Sequence, residues 1–204
     1  MKSIYLASKL KFKFKFGVEV PKTPKHALQL DTKEQNELWK QAITTELDQI
    51  NEYKTFRILE DHEYTPTGYK RISYHFVLDV KIDVRRKARL VAGGHRTDPP
   101  KEDTYSGVAS LEGVRMGFLL AHMNKLMVCT GDVGNAFLYG KTKEKVFVIA
   151  GHEFGKEVEG KRMIIDKSLY GLKTSSASFH EHLSEKLKLM GYKPSKAYLD
   201  LWYK

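Results

Sequence analysis

The fold is decided by residues 74–92, which read YHFVLDVKIDVRRKARLVA and contain the two halves of a β-hairpin. From Tyr74 to Ile82, apolar and polar side chains alternate at period two, which is typical of a strand. Residues 83–85 supply the predicted hairpin tip, and Lys87 to Ala92 supply the returning strand. The pattern therefore predicts an antiparallel pair of strands.

The returning half of this hairpin is basic. Arg85, Lys87 and Arg89 fall on one face, and Lys70 and Arg71 lie just upstream. Planar guanidinium groups suit phosphate oxygens, so these residues can hold a triphosphate or a template backbone. A solvated hairpin with the same charges is the alternative, and spacing alone does not separate the two.

The composition of the whole chain agrees with an anionic partner. With 204 residues, 41% of them hydrophobic and 29% charged, the chain is long enough for one globular domain or two small ones. Its formal net charge is +10 and its pI is about 9.4. Nucleic acid is the commonest partner of such a protein, and a solvated basic surface is the alternative.

Cysteine use and hydropathy indicate the compartment. Cys129 is the only cysteine, so no disulfide can form within the chain and a reducing, intracellular setting is expected. Cys129 lies in an apolar run, which predicts a small buried hydrophobe rather than a nucleophile. No run approaches the ~18 apolar residues of a membrane span, so no membrane partner is expected.

The first predicted unit, residues 1–30, is a basic N-terminal strand and connector. It holds seven lysines and one acid, Glu19, and so supplies +6 of the net charge. Residues 9–16 alternate lysine with apolar side chains, which predicts a half-buried strand. An edge strand protected by its lysines is preferred here to a nucleic-acid groove. Pro21 and Pro24 mark the connector.

Three helices are predicted from apolar spacing and capping residues. One spans about 32–52 after the start signal at Asp31, and a second spans about 111–124 with Ser110 as its cap. The third begins at Ser175 or Ser176 and stops at Gly191. The predicted core faces of these helices are Trp39, Ile43, Leu47 and Ile50; Leu111, Val114, Phe118 and Ala121; and Phe179, Leu183, Leu187 and Met190.

A candidate metal ligand follows an apolar run. Residues 126–130 are nearly continuously apolar, which predicts a buried strand that delivers Asp132. A carboxylate at the end of such a strand is costly to desolvate unless it is paired or holds a cation. Mg²⁺ takes carboxylate oxygens together with substrate phosphates. A turn or capping aspartate is the alternative, and spacing alone favours it.

The remaining signals complete the fold class. Residues 146–149 and 163–165 are predicted as short strands, and residues 169–173 as a loop. In that loop, Gly171 permits close approach to a base or sugar, and Lys173 adds a charge. Strands and helices follow one another without a strict βαβ rhythm, which predicts an α+β fold with a mainly antiparallel sheet.

Six blocks in this order resemble the reverse transcriptase of copia-type (Ty1/copia) long-terminal-repeat retrotransposons. The resemblance covers about residues 10–204. The blocks are Leu38-Trp39-Lys40-Gln41-Ala42-Ile43 with Glu46; Arg86-Lys87-Ala88-Arg89-Leu90-Val91-Ala92-Gly93-Gly94; Asp103-Thr104-Tyr105-Ser106; Gly131-Asp132-Val133-Gly134-Asn135-Ala136-Phe137-Leu138; Lys143-Glu144-Lys145-Val146; and Leu169-Tyr170-Gly171-Leu172-Lys173.

The resemblance implies a right-hand polymerase with an incomplete set of fingers and palm. Residues 31–110 would form the fingers-like part, and residues 111–204 a partial palm that stops before the second acidic motif. RNA or DNA template-primer and dNTP would be the partners, together with the remainder of the polyprotein. The cytoplasm (in a virus-like particle) or the nucleus would be the location.

The resemblance also assigns roles to single residues. Asp132 would be the catalytic aspartate, and with the Val133 carbonyl it would bind Mg²⁺. Phe137 would lie beneath the sugar as a steric gate against a 2′-hydroxyl. The remaining assignments are Lys87, Arg89, Gly171 and Lys173 for the nucleotide, and Lys70, Arg71 and Arg85 for nucleic acid.

In this family two metal ions clamp the attacking 3′-oxygen and the leaving pyrophosphate, and a Tyr-x-Asp-Asp hairpin completes their site. The 204 residues contain no adjacent pair of aspartates. Residues 198–201 read Tyr-Leu-Asp-Leu, but their spacing matches a strand upstream of the acidic hairpin. We therefore expect a chain that cannot catalyse alone. The alternatives are a polymerase completed by a second chain and a non-catalytic basic nucleic-acid-binding or interaction module.

Overall fold

The computed structural model describes residues 13–97, 99–100, 104 and 106–204. Within them, short strands and α-helices follow one another in an irregular order, with 3₁₀ turns at residues 94–96, 136–139 and 152–154. The strands are β1 (Lys13–Lys15), β2 (Val18–Val20), β3 (Phe56–Ile58), β4 (Lys70–Arg71), β5 (Tyr74–Val80), β6 (Arg86–Ala92), β7 (Val146–Ile149), β8 (Arg162–Ile165), β9 (Lys193–Pro194) and β10 (Trp202–Tyr203); the helices are α1 (Pro24–Glu34), α2 (Leu38–Glu52), α3 (Leu111–Met123) and α4 (Ser175–Leu189).

The predicted hairpin is confirmed. Strands β5 and β6 pair antiparallel, from Tyr74 opposite Ala92 to Val80 opposite Arg86. One face of the hairpin is buried, at Phe76, Leu78, Val80, Ala88, Leu90 and Ala92, whereas Val77 is 45% exposed. Helix α2 packs against β6 with its own apolar face. The predicted core face of α2 is likewise buried, at Trp39, Ile43, Leu47 and Ile50.

A four-stranded sheet with the order β3–β8–β7–β4 forms the second layer of strands. Strands β3, β8 and β7 pair antiparallel, and only β4 joins β7 in parallel. Strands β7 and β8 confirm the strands predicted from the sequence at 146–149 and 163–165. The fold is therefore mixed α and β with mainly antiparallel pairing.

The predicted helix from 32 to 52 is two helices. Helix α1 begins at Pro24, where Thr23 accepts a hydrogen bond from the His26 N–H, so the predicted connector at this proline is wrong. Its last residue precedes Gln35, whose left-handed φ of 53° turns the chain. Asp31 lies inside α1, yet its buried carboxylate accepts hydrogen bonds from the N–H groups of Trp39 and Lys40 and so caps α2.

The predicted N-terminal strand is also altered. Residues 9–12 lie outside the described part of the chain. Strand β1 pairs with β2 across a turn at Phe16 and Gly17, where both φ angles are positive. The side chains of Phe14 and Phe16 are 63% and 50% exposed, so these phenylalanines do not form a buried face.

Residues 126–130 are not a strand, and that prediction is wrong. No strand in the described ranges pairs with this segment, so its backbone enters no ladder, and Leu126, Met127 and Cys129 are exposed. Helix α3 does form, and Ser110 caps it by accepting a hydrogen bond from the Gly113 N–H at 3.0 Å. Three residues of its predicted core face, Leu111, Val114 and Phe118, are instead exposed, as are most of its other apolar side chains.

Helix α4 ends as predicted, with Gly191 in the left-handed region at φ 88°. Its start differs, because the capping position is Thr174 and the Ser175 hydroxyl donates to the carbonyl of Leu169 at 2.6 Å. None of the helices in the described ranges is long and apolar enough to cross a bilayer.

Candidate nucleotide-binding site

The centre of the candidate site is a row of side chains in contact, one cationic and three aromatic. The Arg89 guanidinium carbon lies 4.9 Å from the ring centroid of Tyr170. The Tyr170 ring meets the Phe137 ring at 4.7 Å, and Phe137 meets Phe179 at 6.5 Å edge to face. The row therefore joins β6, the 3₁₀ turn at 136–139, the loop at 169–173 and helix α4.

Backbone contacts hold the 169–173 loop against β6. The Ala92 N–H donates to the carbonyl of Tyr170 at 2.7 Å. Gly171 follows with a φ of 90°, and a Cβ added there would collide with the carbonyl oxygen of Ala92. Only glycine satisfies both the left-handed backbone and the close approach at this position. The close approach predicted for Gly171 is thus made to the backbone of the protein's own strand β6.

Lys173 closes the other end of the loop. Its ammonium donates to the Thr97 carbonyl at 2.5 Å. Glu144 accepts hydrogen bonds at one carboxylate oxygen from the N–H and the hydroxyl of Thr174, at 3.0 and 3.1 Å. Lys173 and Glu144 therefore position the loop.

A buried carboxylate, Glu46, supports the basic face of β6. Its Oε1 accepts a hydrogen bond from the Leu90 N–H at 2.9 Å. Burial raises the pKa of Glu46, and the Leu90 N–H and the charges of Lys87 and Arg89 work against that rise. Glu46 thus fixes the strand at the residue that follows Arg89.

Charges converge on Lys87 from several elements. Burial lowers the pKa of Lys87, and the like charges of Arg89 and Lys81 lower it further. The carboxylates of Glu46 and Asp132 oppose this shift. Asp132 is therefore within electrostatic reach of Lys87, although the two belong to distant parts of the sequence.

The other predicted basic residues lie apart from the stack. Lys70 and Arg71 form β4, at the edge of the four-stranded sheet, and are exposed. Arg85 lies at the hairpin tip, where it pairs with Asp83 at 2.6 Å and stays 80% exposed. The structure thus brings Arg89, Phe137 and Gly171 together around Tyr170, with Lys87 on the same strand as Arg89. Lys70, Arg71 and Arg85 lie elsewhere, and Asp132 makes no direct contact with this cluster among the described residues.

The sequence of the described site matches a family of polymerases. Residues 53–204 match the family model described as reverse transcriptase (RNA-dependent DNA polymerase). The chain belongs to this family. The match includes β6, Phe137 and the 169–173 loop, so the residues that form the stack all lie inside the reverse transcriptase region.

Two relatives place this reverse transcriptase among copia-type elements. The retrovirus-related Pol polyprotein from transposon TNT 1-94 of Nicotiana tabacum is 29% identical over 177 residues, which cover 82% of this chain and 13% of the relative. The transposon Ty1-DR4 Gag-Pol polyprotein of Saccharomyces cerevisiae is 31% identical over 163 residues, 77% of this chain and 10% of the relative. The chain thus spans about a tenth of their lengths. No solved structure matches it.

Sequence reasoning missed three contributors to the site. Tyr170, Glu46 and Glu144 all occur in the blocks that carry the resemblance, but no role followed from their spacing. Glu46 lies 44 residues before its partner Leu90, and Glu144 lies 30 residues before Thr174. Only the folded chain brings such partners together.

The described residues do not form the metal site of a reverse transcriptase. Asp132 lies in an exposed irregular segment with Val133, whose exposed fraction is 49%. No group of three or more His, Cys, Asp or Glu residues in the described ranges could hold a metal ion. Asp200 instead pairs with the Nε2 of His180 at 3.0 Å. One exposed carboxylate does not match a pair of Mg²⁺ ions, which need several oxygen ligands.

Proposed function

We propose that this reverse transcriptase region forms part of the fingers and palm of a copia-type polymerase and binds the incoming deoxynucleoside triphosphate. The observation that carries the proposal is the contact of Arg89 with the Tyr170 ring and of the Tyr170 ring with the Phe137 ring. Its partners would be dNTP and an RNA or DNA template-primer, in the cytoplasm (within a virus-like particle) or the nucleus.

The chemistry of the stack suits a nucleotide. The half-buried side chains of Lys87 and Arg89 lie at one end and carry the charge that a triphosphate requires. Tyr170 and Phe137 lie at the other end and present aromatic surface, which suits a sugar or base. Phe137 is five residues beyond Asp132, and we assign it the steric exclusion of a 2′-hydroxyl.

The catalytic role proposed for Asp132 is that of one carboxylate in a larger metal site. The carboxylate of Asp132 opposes the lowering of the pKa of Lys87, which fits a triphosphate held by the basic hairpin near this carboxylate. The described residues do not complete the metal site, so we propose that the 204-residue chain alone does not extend a primer.

Nucleotide binding tests the role of the basic hairpin. Fluorescently labelled dTTP would be titrated into the chain, and Lys87→Gln and Arg89→Gln should each weaken binding about tenfold, because each removes one charge-assisted contact. Arg57→Gln is the matched control, since Arg57 lies on β3 and pairs with Asp166. Equal effects of the three substitutions would overturn the proposal.

Primer extension tests the catalytic part. With template-primer, dNTP and Mg²⁺, the chain should give no extension product, and extension above background would refute this part of the proposal.

A second function, a basic nucleic-acid-binding module without catalysis, is favoured by the net charge of +10. It requires salt-sensitive duplex binding that persists in Asp132→Asn. Absence of duplex binding at low salt would exclude it.

A further inference from the structure

Two lysines oppose each other just beyond the 136–139 turn, away from the row of Arg89, Tyr170 and Phe137. Lys141 and Lys167 form an isolated antiparallel bridge. Its backbone bonds run from the Thr142 N–H to the Asp166 carbonyl and from the Ser168 N–H to the Gly140 carbonyl. That pattern makes Lys141 and Lys167 a non-hydrogen-bonded pair, in which the two side chains lie closest on one face.

This arrangement is unfavourable without a ligand. Like charges directly opposite each other across strands are destabilising. Among the described residues, no hydrogen bond or ion pair engages the ammonium group of either Lys141 or Lys167. The neighbouring Lys143, by contrast, pairs with Glu181 at 2.7 Å. The two opposed lysines are therefore the uncompensated charges of this edge.

Both lysines line a cavity of about 460 Å³ between the bridge and helix α4. Ser178 lines the same cavity, is 5% exposed, and has a buried hydroxyl with no hydrogen-bond partner. Buried polar atoms are normally satisfied, so this hydroxyl is available to a ligand. Glu181 and Glu185 also line the cavity, and Glu181 is already occupied by Lys143.

We propose that this cavity binds a phosphate group, held between Lys141 and Lys167 and contacted by the Ser178 hydroxyl. A phosphate supplies the negative charge that the two ammonium groups lack and an acceptor oxygen for the hydroxyl. The phosphate belongs either to a nucleic-acid strand or to a free nucleotide. The described residues offer no group of three metal-binding side chains here, which favours an anion over a cation.

The proposal does not rest on the nucleotide site. Phe137 contacts Tyr170 and Phe179, whereas Tyr139 contacts the rings of Tyr53 and His182. The 3₁₀ turn thus directs one aromatic side chain to each location. The two sites therefore share none of these ring contacts, and substitutions can be made at one without changing a residue of the other.

The test compares two double variants of the full chain that remove the same charge. Lys141→Gln/Lys167→Gln removes the opposed pair, and Lys186→Gln/Lys188→Gln removes two exposed lysines of α4 that do not line the cavity. Binding of a fluorescein-labelled 12-nucleotide single-stranded DNA is followed by anisotropy, and melting temperature is followed in rising inorganic phosphate, pyrophosphate or dTMP.

The first double variant should lose at least about tenfold in DNA affinity or lose its stabilisation by the phosphate compounds, while the control keeps both. Loss in the DNA arm alone identifies a strand as the source of the phosphate, and loss in the small-anion arm identifies a free nucleotide. Ser178→Ala should reduce the same measured response, DNA affinity or stabilisation by phosphate compounds, by a smaller factor. Equal responses of the two double variants, or no binding by the parent chain, would overturn the proposal.

Melting without ligand supplies an independent check. Removal of two opposed like charges should leave the melting temperature of Lys141→Gln/Lys167→Gln equal to or above that of the parent chain. A lower melting temperature would show that the lysines stabilise the fold by themselves, and the argument for a missing anion would then fail.

Discussion

The guanidinium carbon of Arg89 lies 4.9 Å from the ring centroid of Tyr170, and this contact links the β5–β6 hairpin to the loop before α4. The Ala92 N–H makes the same link, because it donates a hydrogen bond to the carbonyl of Tyr170 at 2.7 Å. The basic face of the hairpin is thereby kept next to Phe137. In the proposed function, a nucleotide held by the hairpin would lie beside the aromatic row.

The Arg89–Tyr170 contact should be measurable as a coupling energy. In a double-mutant cycle with Arg89→Gln and Tyr170→Leu, urea unfolding should give a coupling of about 1 kcal/mol, because a cation over an aromatic face stabilises by about that amount. Arg57→Gln combined with Tyr170→Leu is the control cycle and should be additive. A coupling near zero in the first cycle would show that the stack adds no stability.

Gly171 should tolerate no side chain. Gly171→Ala combines a left-handed φ of 90° with a collision against the Ala92 carbonyl, and should lower the free energy of unfolding by at least about 2 kcal/mol. Gly17→Ala is the matched control, since Gly17 has a φ of 78° and open space around it, and should cost about 1 kcal/mol. Equal losses at the two positions would contradict the close approach at β6.

Local patterns explain which elements the sequence predicted. The β5–β6 hairpin and the core face of α2 follow from alternation and helical spacing, which are visible in a short window. The sequence marks Asp31 as a helix start, and its carboxylate does cap a helix. The capped helix is α2, seven residues on, because Gln35 adopts a left-handed conformation that turns the chain. The prediction of one continuous helix from 32 to 52 therefore lacks the turn at Gln35.

Residues 126–130 show where local patterns are insufficient. Their apolar side chains have strand propensity, but a strand needs a neighbour to satisfy its backbone groups, and no described strand lies beside them. Asp132 consequently lies in an exposed segment rather than at a strand end. The hydrogen-bond partners of Glu46 and Glu144 also could not be predicted from local patterns. Each of these contacts joins residues that are tens of positions apart in the sequence.

Glu46 should make stability depend on pH. Burial raises its pKa above the ordinary 4.5, so the folded chain holds the proton more tightly, and stability falls as pH rises from 4.5 through the raised value. Glu46→Gln retains an acceptor for the Leu90 N–H and removes the charge. It should match the parent chain well below pH 4.5 and exceed it at neutral pH in thermal or urea unfolding.

Two further variants complete the pH experiment. Glu46→Ala leaves the Leu90 N–H without its partner and should lose about 1–3 kcal/mol relative to Glu46→Gln. Glu52→Gln removes an exposed carboxylate from the same helix and should not reproduce the pH dependence. If Glu46→Gln were less stable than the parent chain at neutral pH, the attraction to Lys87 and Arg89 would outweigh the burial of the charge.

The exposed apolar face of α3 should govern the solubility of the 204-residue chain. Phe118, Leu119 and Met123 are 54%, 57% and 69% exposed, and Leu126 and Met127 continue the apolar surface. Exposed apolar patches of this kind promote association. We expect the chain to bind the dye ANS and to self-associate at micromolar concentration, as measured by fluorescence and analytical ultracentrifugation.

Leu119→Glu/Met123→Lys tests that surface directly. The two positions are four residues apart on α3, and a glutamate followed by a lysine at this spacing stabilises a helix by about 0.2–0.5 kcal/mol. The double variant should therefore reduce ANS binding and self-association without lowering the melting temperature. Ile50→Glu, at a position 1% exposed in α2, should instead unfold the chain. A monomeric parent chain with little ANS binding, or a double variant that melts at lower temperature, would show that α3 is covered in solution.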